Sequence, residues 1–204
     1  KSWTKQMKII TFEGIEGVGK STQIQLLNNY LNEKGYKTEI LREPGSTATG
    51  EQIREILLNT PIDLSSESEL LLMFAARAQL IKEKLLDSDK DIVLFDRFYD
   101  ASVAYQGYGR GLSLDAIFNL IKLTNCPIPN ITFLLDIDVE EGFRRKSNDL
   151  KDRIESAGND FFERVRNGYI EISKKNKERV KVLDATMKIE ELHNEIINIT
   201  NKIL

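Results

Sequence analysis

Residues Gly14 to Ser21 read G-I-E-G-V-G-K-S, which matches G-x-x-x-x-G-K-[ST]. In that spacing the backbone N–H groups of Gly14, Ile15, Glu16, Gly17, Val18 and Gly19 cradle phosphate oxygens. Those of Lys20, Ser21 and Thr22 add the N-terminal field of the helix that follows. Lys20 neutralises the bridging charge of a polyphosphate, and the Ser21 hydroxyl is placed to ligate Mg²⁺. An apolar strand precedes the loop and an amphipathic helix follows it, the context the motif requires, so ATP or GTP is the expected ligand. Asp96 closes the run "IVLFD", where a carboxylate would hold the same Mg²⁺; taken alone it could equally cap a helix. Glu16 is out of keeping, an acid inside an anion cradle. It occupies a variable position between Gly14 and Gly19, so its backbone can serve the nucleotide while its side chain points outward toward an acceptor.

A phosphate loop serves switches, motors and kinases alike, so the class must come from other residues. The segment "NKER" at 176–179 lacks the aspartate of a guanine-reading N-K-x-D, which disfavours a GTPase switch. Arginines are abundant instead: Arg42, Arg77, Arg97, and the segment 144–155, which packs Arg144, Arg145, Lys146, Lys151 and Arg153 among three acids. That segment by itself reads as a solvated surface helix. The rigid guanidinium fork suits phosphate, and a second phosphate as acceptor would explain the excess. Such an acceptor is already ionised near neutral pH and needs no strong base, so the single histidine, His193, has no required part. Two alternatives stay open at this point. One is a kinase of an unphosphorylated nucleoside with Glu43 as base; the other is a nucleotide-gated binding protein.

The elements that must position these groups alternate along the chain. Apolar runs at 8–12, 38–42, 91–96, 131–136 and 180–184 each end in polar residues and precede a helical pattern. That alternation predicts a parallel sheet covered on both faces by helices. The first helix carries Ile24, Leu27 and Leu31 and stops at Gly35; the last carries Ile189, Leu192, Ile196, Ile199 and Ile203, a packing stripe. A helix is expected at 67–86, opened by a capping box in which Ser66 caps and Glu69 reaches back.

The 204 residues suit one domain, expected over 8–204 after an extended or disordered leader at 1–7, with Met7 an alternative start. Hydrophobic residues make up 41% and charged residues 30%, with a net charge of -3, a soluble composition without the basic face of a nucleic-acid coat. Neither a membrane nor a nucleic-acid partner is expected. The lone Cys126 cannot form an internal disulfide and no apolar run approaches the roughly 18 residues of a spanning helix, so a cytoplasmic location is expected.

Several motifs together carry a resemblance. In order after the phosphate loop come "REPGST" (42–47), "FAAR" (74–77), "DRF" (96–98), "AYQGYGRGL" (104–112), "DRIE" (152–155) and "DAT" (184–186). Over essentially its whole length the chain resembles bacterial thymidylate kinases. The resemblance implies a three-layer P-loop NTPase fold of class α/β, with a five-stranded parallel sheet flanked by helices and a mobile lid at about 144–156. It implies transfer of the γ-phosphate of MgATP to dTMP, giving dTDP, by a homodimer.

Residue by residue, the resemblance implies that Arg97, paired with Asp96, clamps the dTMP phosphate. Arg77 would reach the thymine edge and Phe74 would stack on the ring, although the family's aromatic commonly falls one residue earlier, at Met73. Tyr105 would crowd the sugar, Gln106 and Ser102 would line the base pocket, and Pro44 would wall it. Glu16 would accept a hydrogen bond from the 3′-OH. Arg144, Arg145 and Arg153 would close over ATP, with Asp184 and Ala185 beside adenine.

Overall fold

The computed structural model describes residues 7–59, 63–146 and 152–204. Residues 1–6 of the leader expected at 1–7 and the middle of the expected lid, Lys151 included, lie outside the described residues. Five strands form one parallel sheet: β1 (Lys8–Glu13), β2 (Thr38–Arg42), β3 (Ile92–Asp96), β4 (Ile131–Asp136) and β5 (Val180–Asp184). Their order is β2-β3-β1-β4-β5. The central strands are unbroken apolar runs because helices cover both faces, and Ile10, Phe12, Leu94 and Phe133 are fully buried. The register pairs Phe12 with Asp96 and Asp96 with Arg42, so the ends of β1, β2 and β3 finish level.

Eight α-helices accompany the sheet among the described residues: α1 (Lys20–Glu33), α2 (Ala48–Leu58), α3 (Ser66–Leu80), α4 (Tyr99–Ser102), α5 (Leu114–Leu123), α6 (Val139–Arg145), α7 (Asn159–Lys175) and α8 (Ile189–Thr200). α1 and α8 pack together, as their apolar stripes predict, and the Gln23 amide of α1 donates to the Ile189 carbonyl at 3.0 Å. The helix expected at 67–86 differs in two respects. Its cap is Ser65, whose side chain accepts from the Ser68 N–H, and past Leu80 it widens into a π-helical turn at Ile81–Leu85. Glu69 does not reach back to the cap. It turns inward and is 1% exposed. A second π-helical turn, Val103–Gly109, continues α4 and packs against α7.

Candidate active site

β1 lies between β3 and β4, and the connections leaving its flanks run in opposite directions, the place where parallel α/β sheets bind ligands. A cleft of about 470 Å³ opens there at the carboxyl ends of the strands. One wall is the phosphate loop from Glu16 to Thr22, and the other is built from Glu43, Pro44, Met73, Arg77 and the 102–106 turn. Asp96 and Arg97 form the floor between them.

The loop is shaped by close backbone contact. Gly17 has φ +75°, and a Cβ there would lie 2.0 Å from the Gly142 carbonyl oxygen of α6. Only glycine lets the loop seat directly on the helix that leads into the expected lid. Lys20 Nζ folds over the loop and donates to the carbonyls of Ile15 (3.0 Å) and Gly14 (3.3 Å). Burial, then the nearby Arg97 charge, brings the Lys20 ammonium down to about 8.

Glu16 does point outward from the cradle. Its carboxylate accepts from Arg97 Nη2 and from the Tyr105 hydroxyl, each at 2.8 Å. Burial works against its charge, but Arg97 and Lys20 outweigh it and hold the carboxyl below the usual range. Arg97 also donates from Nη1 to the Gly14 carbonyl (2.8 Å) and to the Tyr169 hydroxyl (3.2 Å), with its guanidinium 4.9 Å from the Tyr105 ring centre. Its backbone is left-handed, φ +66°, a conformation that costs a non-glycine residue about 1–2 kcal/mol. Two hydrogen bonds hold it there: Arg97 N–H donates to the Phe12 carbonyl, and Phe98 N–H to the Glu13 carboxylate at 2.7 Å. Glu13 also accepts from the Tyr169 hydroxyl at 2.7 Å. Burial, then the Asp100 charge, pushes the Glu13 carboxyl up to about 8, with Arg97 and Tyr169 offsetting only part.

Arg77 is buried deep in the opposite wall. Its Nε donates to Glu43 at 2.7 Å, its Nη1 to the Ser102 hydroxyl at 3.1 Å and its Nη2 to the Phe98 carbonyl at 3.3 Å. Glu43 is thereby held in an ion pair through one of its carboxylate oxygens. Phe74, expected on the base, sits 3% exposed in the core with its ring 4.6 Å from the Arg77 guanidinium. Met73 takes the place on the cleft wall. The reason is angular: adjacent helix positions differ by about 100°, so only one of the two can face the cleft.

Of the expected cradle residues, Gly14 and Ile15 serve through their carbonyls behind the cleft, the Ile15 side chain being core. Pro44, Ser102, Tyr105 and Gln106 line the cleft as expected. Asp184 and Ala185 do not. Asp184 ends β5 and Ala185 follows it, where Asp184 accepts from Thr186 and the Ala185 carbonyl accepts from Arg145 Nη1 at 2.9 Å. The three expected lid arginines have different surroundings. Arg144 is exposed and paired with Glu141, Arg145 joins Glu141 to Ala185, and Arg153 is drawn away from the loop to Glu69 and the Leu57 carbonyl. Arg54, which the sequence did not single out, donates to the Pro44 carbonyl and lines the cleft, and Lys146, Asp152 and Glu155 join it from either end of the expected lid. Lys146 pairs with Glu155. His193 is half-buried on α8 and outside the cleft.

Fold and cleft together define a P-loop kinase, with a phosphate cradle and arginines lining one cleft. A family model described as thymidylate kinase matches residues 12–196. The chain belongs to the thymidylate kinase family. A thymidylate kinase of Kosmotoga olearia is 44% identical over 92% of this chain and 92% of its own. One from Ruthia magnifica is 48% identical over 93% of this chain and 95% of its own. The crystal structure of thymidylate kinase from Ehrlichia chaffeensis superposes with a TM-score of 0.79 at 36% identity, covering 96% of this chain and 98% of that one.

Proposed function

We propose that this kinase transfers the γ-phosphate of ATP to dTMP, giving dTDP for dTTP synthesis, in the cytoplasm and as a homodimer. The observation that carries the reading is the Glu16–Arg97 pair: the phosphate loop itself supplies the carboxylate that holds the acceptor-side arginine. Donor and acceptor are thus gripped by one rigid unit, which suits a reaction whose catalysis is mostly positioning and charge stabilisation. Lys20 neutralises the donor phosphates and Arg97 clamps the acceptor phosphate. The Glu16 carboxylate accepts from the deoxyribose 3′-OH, and Tyr105 packs on the sugar. Arg77, Ser102 and Gln106 meet the base, and Met73 takes the ring face expected of Phe74.

A hydroxyl and one carboxylate, Ser21 and Asp96, both face the cleft beside Lys20. That sparse donor set fits Mg²⁺, which binds few protein ligands and completes its shell with water and phosphate oxygens. When bound, Mg²⁺ neutralises charge on the transferring phosphates. Residues 144–156 act as the lid, and Arg144, itself exposed and paired with half-buried Glu141, reaches the transferring phosphoryl.

The deciding assay follows ADP release with dTMP, dUMP, dGMP, dCMP and thymidine in turn. The highest kcat/KM is expected for dTMP, with some turnover of dUMP because a methyl group is worth only about 1–3 kcal/mol. Faster turnover of dGMP, dCMP or thymidine would overturn the reading.

A further inference from the structure

Glu69 lies outside the cleft lining, yet it holds one of the cleft's residues. Its carboxylate accepts from Gln106 Nε2 at 2.9 Å, from Arg110 Nε and Nη2 at 3.3 and 3.1 Å, and from Arg153 Nη2. It therefore joins α3, the 103–109 turn and the chain returning from the lid. Arg153 is pinned a second time by the Leu57 carbonyl at 2.7 Å, and the Arg110 guanidinium lies 4.5 Å from the Phe161 ring centre. Glu69 and Gln106 are each 1% exposed, so neither amide nor carboxylate has bulk water as an alternative partner.

An ionised carboxylate only accepts hydrogen bonds, so the amide end turned to it must be the NH₂. Burial disfavours the Glu69 charge, but the hydrogen bonds from Arg110, Gln106 and Arg153 hold it ionised. The end of Gln106 left for the cleft is then its carbonyl oxygen. On the same wall of the cleft Arg77 Nη1 carries two hydrogens, of which Ser102 takes one. An acceptor at Gln106 beside a donor at Arg77 complements a base with an imino N–H next to a carbonyl, as in thymine and uracil. Cytosine presents the reverse pattern, a ring-nitrogen acceptor beside an amino donor.

We infer that Glu69 is a specificity-setting positioning residue: it locks the Gln106 amide with its oxygen toward the base, so that the cleft accepts an imino N–H pyrimidine and rejects cytosine. The inference rests on the proposed nucleotide acceptor. It gives a buried carboxylate three residues into α3 a reason beyond helix capping, and it gives Arg110 and Arg153 a role in keeping that carboxylate charged.

The test compares kcat/KM for dTMP and dCMP in the wild type and in Glu69→Gln. Glutamine at 69 can donate or accept, which frees Gln106 to rotate. The dTMP:dCMP ratio is expected to fall about tenfold or more, with KM for ATP little changed. A merely structural role would lower both nucleotides alike and leave the ratio intact, and an unchanged ratio in folded Glu69→Gln overturns the proposal. Gln106→Met provides a second route should Glu69→Gln fail to fold. It removes the amide while leaving Glu69 and its arginines in place, and an unchanged ratio there is equally fatal. In the double variant, Glu69→Gln is expected to add no further loss, because it acts only through Gln106. A wild type without preference for dTMP over dCMP would instead count against the acceptor assignment itself.

Discussion

Replacing Glu43 by glutamine is expected to destabilise the protein severely although the shape of the side chain is kept. Glu43 and Arg77 have side chains 4% and 2% exposed, with Nη2 2.6 Å and Nε 2.7 Å from the same carboxylate oxygen. Burial lifts the Glu43 carboxyl above its usual range, yet the arginine beside it stays charged. Glu43→Gln leaves that cation with the Ser102 hydroxyl, one carbonyl and the rings of Phe74 and Phe98, at 4.6 and 5.7 Å. Cation–π contacts of about 2 kcal/mol when desolvated do not replace a carboxylate, and breaking a buried pair on one side costs about 3–5 kcal/mol. For a chain of 204 residues, at about 2–4 °C per kcal/mol, the melting temperature should fall by roughly 6–20 °C. Calorimetry on the wild type, Glu43→Gln, Arg77→Met and the double variant Glu43→Leu/Arg77→Met tests this. The double variant should recover most of the loss, since removing both charges together is often near neutral. Were Glu43→Gln to melt within about 1 kcal/mol of wild type, the pair would not be the desolvated, mutually dependent unit its geometry describes.

Three other outcomes are expected. The Glu13 carboxyl, ordinarily near 4.5, is held up to about 8, so the unfolded state loses its proton first and stability should fall as pH rises between those values. Urea midpoints measured from pH 5 to 9 should therefore decline more steeply in wild type than in Glu13→Gln; parallel curves would contradict the assignment. Lys20, brought down to about 8, should take up a proton when ATP binds near pH 8.5 but not near pH 6.5. Titration calorimetry in buffers of different ionisation enthalpy reads the uptake, and Lys20→Met should abolish it. Among the lid arginines, Arg144→Ala is expected to lower kcat by roughly 10³-fold or more, the scale of an arginine finger, and Arg153→Ala by much less. Equal losses in single-turnover assays would mean that Arg153 leaves Glu69 during the reaction.

What was legible in the sequence follows from what kind of signal each feature leaves. The five strands, α1 and α8 were readable because an apolar run or a 3.6-residue stripe is local, and the phosphate loop because a motif of eight adjacent positions fixes its backbone. Glu69 was misread because Ser-x-x-Glu looks the same whether the glutamate caps its helix or turns inward to Gln106, Arg110 and Arg153, which lie 37, 41 and 84 residues away. Phe74 and Met73 exchanged places because a single step on a helix turns a side chain from cleft to core. Glu13 and Tyr169 left no signal at all, since they meet across 156 residues. The wide turns at 81–85 and 103–109 were equally hidden, because one extra residue per turn changes no composition.

The acid in the cradle shows why such long-range pairs matter to the proposed reaction. Arg97 is bound at once to the Gly14 carbonyl, to Glu16 and to Tyr169, and its backbone is fixed from β1 through Phe12 and Glu13. An arginine so tied has little freedom left to lose when an acceptor phosphate arrives, which is where preorganised charge gains over solvent. The register pairing Phe12 with Asp96 then does more than hold a sheet together. In the proposed reaction it sets the distance between the loop that would take the donor and the guanidinium that would take the acceptor. Glu16→Gln, which keeps the side chain's length but removes its charge, should loosen Arg97 while leaving every cradle N–H in place. KM for dTMP should therefore rise several-fold more than KM for ATP in steady-state kinetics. Equal rises would mean that the carboxylate acts on the shape of the loop, and that the two halves of the cleft are coupled by the backbone alone.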